Sequence, residues 1–522
     1  MSKLEVTDLT FSYENSPDLI FDHVSFSVDT DWKLGFIGRN GKGKTTFLNL
    51  LLGKYEYTGR IRCPEAFDYF PFRFPDRFRD LPLSEFMTEI TDHVEDWRVM
   101  IELAKLNLSA ELLYRPFRLL SNGEQTKLLL AVLFSRENLF LLIDEPTNHL
   151  DRASRDAVRD YLNSKKSFIL VSHDRDLLDA VTDHMLVLNR ETIEVRNGNF
   201  STWWENKEKQ DAFNLAENEK HLKEIGKLKA ASRRMDSWAD KNEGTKIGFD
   251  PIKEHDRFMD SRAYIGAKTK KAQSRVKSME KRIDREIEEK EGLLKDIEKE
   301  TPLELRPMHY HKDRLIFCRN FSLSYQGKAE PVINDLSFEL MDGDRIALTG
   351  ANGSGKSSLI KAILRRVPEF RTRYPEYLDT YLVNAEESGT LDVGSGLIIS
   401  YINQDTSHLH GPMDDFIKKG GLDEVIFKAV LRKLDFERGQ FSKNLEELSE
   451  GQKKKVLIAA SLVTPAQLYI WDEPLNYIDV FSRMQIEELL LRFRPTMLFV
   501  EHDVRFTEKI ATKEIRAGSV NR

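Results

Sequence analysis

The sequence predicts an α/β chain of two tandem domains, each built on a parallel sheet, joined by a long antiparallel helical hairpin. The first observation behind this prediction is an internal duplication, in which four short motifs return in the same order. The second is that each copy of the first motif lies between an apolar, strand-like run and a helical segment, the alternation that produces parallel sheets. The third is the segment between the copies, which is dense in charged helix formers and has Pro251 as its single proline between residues 201 and 300.

Composition limits the classes of protein that remain. The 522 residues suggest roughly three domains at about 150 residues each. A net charge of −7 excludes a uniformly basic nucleic-acid coat, and two cysteines, Cys63 and Cys318, exclude a disulfide scaffold and a Cys-rich metal site. The apolar runs fall short of the roughly 18 residues that a membrane span needs, and the first residues lack a signal core. We therefore expect a soluble, cytoplasmic protein without a membrane domain.

The duplicated motifs divide the chain into 1–200, a linker at 201–305 with its tip at about 238–264, and 306–522. A period this long indicates tandem homologous domains and not a solenoid, whose repeats run to about 50 residues. The paired motifs are Gly38–Thr45 with Gly350–Ser357, Leu120–Glu124 with Leu448–Gln452, Asp144–Asn148 with Asp472–Asn476, and Ser172–Asp174 with Glu501–Asp503.

The linker reads as two helices that pack mainly on each other. Its flanks, Glu205–Asp240 and Arg262–Glu300, carry sparse apolar residues at three-to-four spacing. The cluster Lys241–Pro251 between them contains helix breakers and predicts the loop at the tip. The alternative is a flexible charged linker, but such linkers are richer in Gly, Ser and Pro.

The first motif has the pattern of a phosphate-binding loop. Glycines let consecutive backbone N–H groups point inward, and the following helix adds its positive N-terminus. Lys44 and Lys356 would reach the phosphates of a nucleotide, and Thr45 and Ser357 would ligate Mg²⁺. The other residues predicted to line the two loops are Gly38, Asn40, Gly41, Gly43, Thr46, Gly350, Asn352, Gly353, Gly355 and Ser358. The alternative, a merely structural Gly-rich turn, does not explain two copies in register.

Two acidic pairs end apolar strand-like runs. A carboxylate at the carboxyl end of a parallel strand faces the ligand crevice, so we expect Asp144 and Asp472 to orient Mg²⁺. Glu145 and Glu473 follow directly and could polarise the attacking water, which is most of what phosphoryl transfer requires beyond positioning. The alternative is that these acids only cap helices.

The Leu-Ser-x-Gly-[Glu/Gln] segments, 24 residues before each of these glutamates, resemble the signature motif of ATP-binding-cassette (ABC) ATPases. The resemblance implies two tandem ABC-type P-loop ATPase domains, the first and second cassettes, using ATP and Mg²⁺. It implies that His173 and His502 contact the γ-phosphate, that Tyr13 and Tyr325 stack on adenine, and that Gln404 completes a Mg²⁺ site. Phe72 stands where the first cassette would carry that glutamine, so the first metal shell is expected to differ.

In this family the cassettes close head to tail over two ATP molecules. The resemblance therefore pairs Lys44 with Ser449 and Gly451 in one site. It pairs Lys356 with Ser121 and Gly123 in the other. A monomer with intramolecular cassette pairing follows, and ATP holds the cassettes together until hydrolysis releases them.

Two fused cassettes with a helical linker and no membrane domain resemble the ABC-F class. The interval from Lys44 to Ser121 leaves no room for a long arm in the first cassette, and segments such as Asn214–Lys220 and Ile470–Tyr477 resemble the antibiotic-resistance, Lsa-like subgroup. The resemblance implies binding to the bacterial 70S ribosome at the tRNA exit site, with the linker tip directed at the peptidyl-transferase centre. It implies resistance to lincosamides, streptogramin A and pleuromutilins. A housekeeping translation factor and a transporter-associated ATPase remain as alternatives.

The linker also carries the residues expected to contact RNA. Basic side chains are concentrated in Arg262–Arg285, and such residues bind phosphates without reading sequence. Aromatic rings near the tip could stack on bases of rRNA or P-site tRNA. The predicted contacts are Trp238, Phe249, Phe258, Arg262, Tyr264, Lys268, Lys270, Lys271 and Arg275. The alternative is a solvated helix face with tip residues packed on one another.

Overall fold

A computed structural model describes residues 2–13, 19–72, 74–90, 94–148, 150–189, 192–244, 282–283, 305–326, 330–373 and 385–518. The chain forms two compact units, one of Met1–Trp203 with Thr301–Arg522 and one of Trp204–Glu300.

The first cassette contains a six-stranded sheet in the order β5-β6-β7-β3-β8-β9, parallel except for β9, and a three-stranded antiparallel sheet in the order β2-β1-β4. Its strands are β1 (Lys3–Phe11), β2 (Phe21–Asp29), β3 (Lys33–Gly38), β4 (Thr58–Arg62), β5 (Ala66–Phe70), β6 (Leu139–Asp144), β7 (Phe168–Val171), β8 (His184–Leu188) and β9 (Ile193–Asn197). The central strands β3, β6 and β7 are almost wholly buried. Their apolar residues are continuous and do not alternate with polar ones, because both faces of a parallel sheet are covered.

The α-helices described in the first cassette are α1 (Lys44–Leu51), α2 (Leu83–Ile90), α3 (Asp96–Lys105), α4 (Asn122–Phe134), α5 (Arg152–Asn163) and α6 (Arg175–Val181). Ser121 caps α4 through a capping box with Glu124, and Asp151 and Asp174 cap α5 and α6. These side chains satisfy N–H groups that a helix N-terminus otherwise leaves unpaired.

The second cassette repeats this architecture with sheets in the orders β14-β15-β16-β12-β17 and β11-β10-β13. Its strands are β10 (Arg314–Tyr325), β11 (Ile333–Met341), β12 (Arg345–Thr349), β13 (Ala385–Val393), β14 (Ile399–Ile402), β15 (Leu468–Asp472), β16 (Met497–Val500) and β17 (Lys513–Arg516). The five-stranded sheet is parallel throughout. The predicted α/β fold with two duplicated P-loop domains is thus confirmed.

The linker helix α7 spans Phe200–Gly244, and the described helices of the second cassette follow. They are α8 (Lys356–Arg365), α9 (Pro368–Arg373), α10 (Met413–Gly420), α11 (Glu424–Lys433), α12 (Glu450–Val463), α13 (Val480–Phe493) and α14 (Val504–Ile510). Across the described part of the chain, no helix combines the length and apolarity needed to cross a membrane.

Helix α7 includes the first four residues of the predicted breaker cluster. Lys241 to Glu243, with which the cluster begins, are compatible with a helix, and the first glycine of the cluster is Gly244. Trp238 lies on this helix, although its side chain is not described. The other predicted RNA contacts and the second arm of the hairpin lie outside the described residues, apart from Arg282 and Ile283.

Candidate nucleotide sites

Both phosphate loops have the conformation that their glycines predict. Gly43 and Gly355 precede α1 and α8 with φ of 106° and 90°, in the left-handed region that glycine adopts without strain. A Cβ atom at Gly43 would lie 2.5 Å from the side chain of Ile20. The chain therefore needs glycine here for its backbone angle and for the close approach of the neighbouring strand.

The two loop lysines point back into their own loops. Lys44 Nζ donates to Gly38 O at 2.6 Å and to Asn40 Oδ1 at 3.2 Å. Lys356 Nζ donates to Gly350 O at 2.8 Å and to Ala351 O at 2.9 Å. Burial lowers the pKa of both lysines, although nearby carboxylates oppose the shift. Each ammonium group is thus held within the turn of backbone that would surround a phosphate.

The acidic residues at the ends of β6 and β15 meet the residues that begin α1 and α8. Thr45 Oγ1 donates to Asp144 Oδ2 at 3.2 Å, and a hydrogen bond joins Ser357 to Asp472. Burial raises the pKa of Asp472 to about 6. Among the described residues Asp472 Oδ1 is buried without a hydrogen-bond partner. An oxygen left in this state fits the hydration shell of a divalent cation, whose charge would favour the ionised carboxylate.

The catalytic candidate of the second cassette is tightly held. Glu473 Oε2 accepts hydrogen bonds from Gln404 Nε2 and Asn476 Nδ2, both at 2.8 Å. His502 Nε2 lies 3.2 Å from Glu473 Oε1. Burial alone would raise the pKa of Glu473, but the hydrogen bond to His502, the charge of His502 and then the charges of Lys356 and Lys454 lower it. The structure thus places three of the predicted site residues, Glu473, Gln404 and His502, in one cluster.

Its counterpart in the first cassette has fewer partners. The Glu145 carboxyl group accepts from the backbone N–H of His173, and its Oε1 lies 3.4 Å from His173 Nε2 without a hydrogen bond. Burial, and then the neighbouring charge of Asp144, raise the pKa of Glu145 to about 8. His173 Nε2 is 3.1 Å from Asn40 Oδ1, and burial lowers the pKa of the imidazole, which favours its neutral form.

The two aromatic residues predicted to stack on adenine occupy equivalent places. Tyr13 OH is 2.8 Å from Thr46 Oγ1, and Tyr325 OH is 2.8 Å from Ser358 Oγ. Each ring is thereby fixed beside the start of the helix that follows its phosphate loop. The Tyr13 side chain is 40% exposed, which leaves it accessible to a base.

The first phosphate loop faces the second cassette directly. Asn40 Nδ2 donates to Tyr477 O at 2.6 Å. A Cβ atom at Gly451 would lie 3.3 Å from Asn40 Nδ2 and 2.7 Å from Tyr477 O. Gly451 belongs to the signature segment that begins at Ser449, the N-cap of α12. The structure therefore brings Lys44, through its own loop, to the signature that the sequence predicted as its partner.

The second phosphate loop meets the first cassette through a residue that the sequence analysis did not select. The backbone N–H of Asn352 donates to the carboxylate of Asp151. A cavity of about 460 Å³ lies at this junction and is lined by Asp151, Gly350, Lys356 and His502 among others. In the described part of the chain, the hydroxyl group of Ser121 bonds with Glu124 of its own helix, and a Cβ atom at Gly123 would meet Ser154. The second phosphate loop thus meets the first cassette at Asp151. The pairing of Lys356 with Ser121 and Gly123 stays a prediction.

Comparison with known proteins places these observations in a family. The family described as ABC transporter matches residues 21–148 and 333–476, which together are more than half of the chain. The ribosome protection protein VmlR of Bacillus subtilis is 27% identical over 98% of this chain and 86% of its own length. The erythromycin resistance ATP-binding protein MsrA of Staphylococcus epidermidis is 26% identical over 92% of this chain and 91% of its own.

Other relatives are similar at the same level. The ATP-binding protein Uup of Caulobacter vibrioides is 25% identical over 95% of this chain and 74% of its own length. Among solved structures, the archaeal ribosome recycling factor aABCE1, in complex with the ribosomal stalk protein aP1, superposes with a TM-score of 0.55 and 17% identity, covering 98% of this chain and 88% of that one. This structural likeness supports the tandem arrangement of two cassettes.

Proposed function

Since this chain belongs to the ABC transporter family of ATPases, as an ABC-F member related to resistance proteins, we propose that it protects bacterial ribosomes from antibiotics. In this proposal it binds the 70S ribosome at the tRNA exit site and uses its linker tip to displace drugs at the peptidyl-transferase centre. The drugs are lincosamides, streptogramin A and pleuromutilins. The similarity to VmlR over 98% of the chain supports this function most strongly.

The proposed cycle depends on a pair of ATP sites that are shared between the cassettes. The observation that carries it is the contact of Asn40 with Tyr477 and Gly451, which joins the phosphate loop of one cassette to the signature segment of the other. A γ-phosphate bound there would touch both cassettes, so ATP would favour the closed state, and hydrolysis would release it. The division into 1–200, 201–305 and 306–522 belongs to the same proposal.

In each site the chain's own residues supply binding and water activation. Lys44 or Lys356 would exchange its loop carbonyls for phosphate oxygens. Glu145 or Glu473 would accept a proton from the attacking water, with His173 or His502 beside it. The residues that would hold Mg²⁺, which neutralises phosphate charge, are Thr45, Asp144, Ser357, Gln404 and Asp472.

The linker would contact the ribosome and transmit to it the effect of ATP binding and hydrolysis. The basic residues Arg262, Lys268, Lys270, Lys271 and Arg275 would bind rRNA phosphates. The tip aromatics Trp238, Phe249, Phe258 and Tyr264 would contact rRNA or the P-site tRNA.

A susceptible Gram-positive host that expresses the protein tests this function directly. We expect raised minimal inhibitory concentrations of lincomycin, tiamulin and virginiamycin M relative to the empty vector. Erythromycin, the drug in the name of one relative, provides a further arm. A matched control replaces both phosphate-loop lysines, K44A/K356A, which should abolish any protection. Unchanged susceptibility to every drug would favour the housekeeping translation factor instead.

A deletion of the linker tip tests whether ATP hydrolysis and drug resistance depend on different parts of the chain. Removing residues 241–258 and bridging them with Gly-Ser removes no phosphate-loop, signature or histidine residue. We expect ATPase activity to persist while resistance disappears. Full resistance in this strain at normal protein levels would show that protection does not depend on the tip.

A further inference from the structure

The first phosphate loop makes two ion pairs with the second cassette. The Arg39 guanidinium is paired with Asp435, and Lys42 Nζ lies 3.1 Å from Glu437 Oε1. The Arg39 guanidinium also lies 5.7 Å from the centre of the Phe481 ring. The Arg39 and Asp435 side chains are only 17% and 27% exposed, so solvent screens this pair less than it screens an ordinary surface pair.

The duplication provides an internal comparison for these contacts. In the second phosphate loop, Ala351 and Ser354 stand at the positions of Arg39 and Lys42. On the first cassette, the counterparts of Asp435, Glu437 and Phe481 are uncharged or lack a ring, namely Asn107, Ser109 and Ala153. These ion pairs therefore have no equivalent at the second site.

The backbone shows that the compared positions are structurally equivalent. Asn107 and Asp435 have positive φ angles of 55° and 58° after α3 and α11, and both residue types tolerate this region. Ser109 and Glu437 each precede a short 3-10 helix, Ala110–Tyr114 and Arg438–Ser442. The difference between the two sites thus lies in side-chain charge and not in the path of the chain.

The location of the pairs relates them to the ATP site. Arg39 is adjacent to Asn40, which contacts both His173 and Tyr477 O. Asp435 and Glu437 lie between α11 and the signature serine, Ser449. An ion pair here connects the first phosphate loop to the segment that carries the opposing signature, independently of any nucleotide.

We propose that Arg39 and Asp435 are positioning residues that hold the second cassette's signature segment over the first ATP site, whereas the second site lacks this connection and opens. Lys42 and Glu437 reinforce the pair. The cavity at the second phosphate loop and the direct contact at the first agree with this difference. The kinetic part of the inference rests on the proposed two-site ATPase cycle.

Hydrogen exchange of the nucleotide-free protein tests the connection without ATP or ribosomes. We expect R39A to increase amide exchange in residues 435–453 and to leave residues 107–125 unchanged, because local opening follows the loss of local contacts. D435N should do the same, and the charge exchange R39D/D435R should restore protection. The matched control N107A alters the counterpart position and should leave 435–453 unchanged. Unaltered exchange in R39A, or equal increases in both segments, would overturn the proposal.

Steady-state kinetics then assign the effect to one site. In an E473Q background, where only the first site can turn over, R39A should raise the KM for ATP about three- to tenfold, as expected for a partly buried charge pair. The charge exchange should reverse the increase. In an E145Q background the KM should stay within twofold. Equal effects in both backgrounds would contradict a role specific to the first site. Hydrogen exchange is measured without ATP. It would therefore show whether Arg39 and Asp435 connect the cassettes even if the chain lacked ATPase activity.

Discussion

The two glutamates proposed to activate water share an unusual backbone but differ in their surroundings. Glu145 and Glu473 both have positive φ angles, 51° and 49°, which are rare for this residue type and common where function fixes a side chain. Glu473 is oriented by Gln404, Asn476 and His502, whereas Glu145 Oε1 has no hydrogen-bond partner among the described residues. A base that is ionised and oriented is better prepared to act, so the second site should carry most of the turnover.

Single glutamine variants measure this inequality. E145Q leaves the second site active, and E473Q leaves the first. We expect residual ATP hydrolysis to be roughly tenfold higher in E145Q, because the hydrogen bonds that prepare Glu473 are worth about 1.5 kcal/mol. Equal residual rates at saturating ATP would show that the different surroundings of the glutamates have no catalytic consequence.

At the residue scale, sequence patterns identified the phosphate loops and acidic pairs but missed residues without a motif. Phe72 indicated that the first site lacks a glutamine, but not what replaces it. The structure shows Tyr69 OH donating to Asp144 Oδ2 at 3.0 Å, next to the hydrogen bond from Thr45. A tyrosine on a strand is ordinarily a packing residue, so spacing alone could not select Tyr69.

Among the helices, a buried polar cluster ties α3 to α5. Glu102 on α3 accepts hydrogen bonds from Tyr161 OH at 2.7 Å and from Lys165, and it also pairs with Lys105. Burial alone would raise the pKa of Glu102, but these donors, first Lys165, lower it. The ionised carboxylate therefore stabilises the folded chain above the pKa it has when unfolded, and that contribution fades as the pH falls through the lowered pKa.

Replacement of this carboxylate should destabilise the first cassette in a pH-dependent manner. We expect E102Q to lower the free energy of unfolding by about 1–3 kcal/mol at pH 7, because buried donors lose a charged acceptor. The loss should shrink as the pH falls below the ordinary glutamate range and through the lowered pKa of the wild-type carboxyl group. Urea titrations at several pH values measure it, with the exposed Glu111 as a control in E111Q. A loss that does not change with pH would mean that the charge of Glu102 is not responsible.

At the element scale, apolar runs predicted the buried strands, and the duplication predicted two homologous domains but not the order of strands in their sheets. The apolar runs that precede the first phosphate loop and Asp144 are Leu34–Ile37 and Leu139–Ile143, and they lie within β3 and β6. The irregular register between β1 and β2, with shifts after Val6 and Leu9, was not predicted. Such shifts depend on tertiary packing against the partner strand, which a single-strand pattern does not encode.

For the whole molecule, the cassettes are joined by ion pairs that do not involve a phosphate loop. Arg175 at the start of α6 donates two hydrogen bonds to Glu487 on α13, and both side chains are buried. Arg505 pairs with Asp176 and Asp179. The members of each pair lie more than 300 positions apart in sequence, so no local pattern could have revealed them.

Removal of one buried partner should weaken the connection between the cassettes. We expect E487Q to lower the free energy of unfolding by about 1.5–3 kcal/mol, because the buried Arg175 loses a charged hydrogen-bond acceptor and is left with the more distant carboxylate of Asp503, at 3.8 Å. The control is R159A at the position that corresponds to Glu487 in the first cassette. Arg159 pairs with Asp156 and Asp160 nearer the surface, and its loss should cost about 1 kcal/mol or less. Equal losses in the two variants would show that burial of the pair contributes nothing.

The central claim is that ATP closes both sites and that the closed chain is the form that binds ribosomes. The double variant E145Q/E473Q tests it most directly, since an amide cannot accept the proton of the attacking water and yet leaves the phosphate-loop lysines intact. Sedimentation through a sucrose cushion measures its retention on 70S ribosomes with ATP and with ADP. The account predicts stable retention with ATP and release with ADP. Rapid release while ATP remains bound to the protein would contradict it.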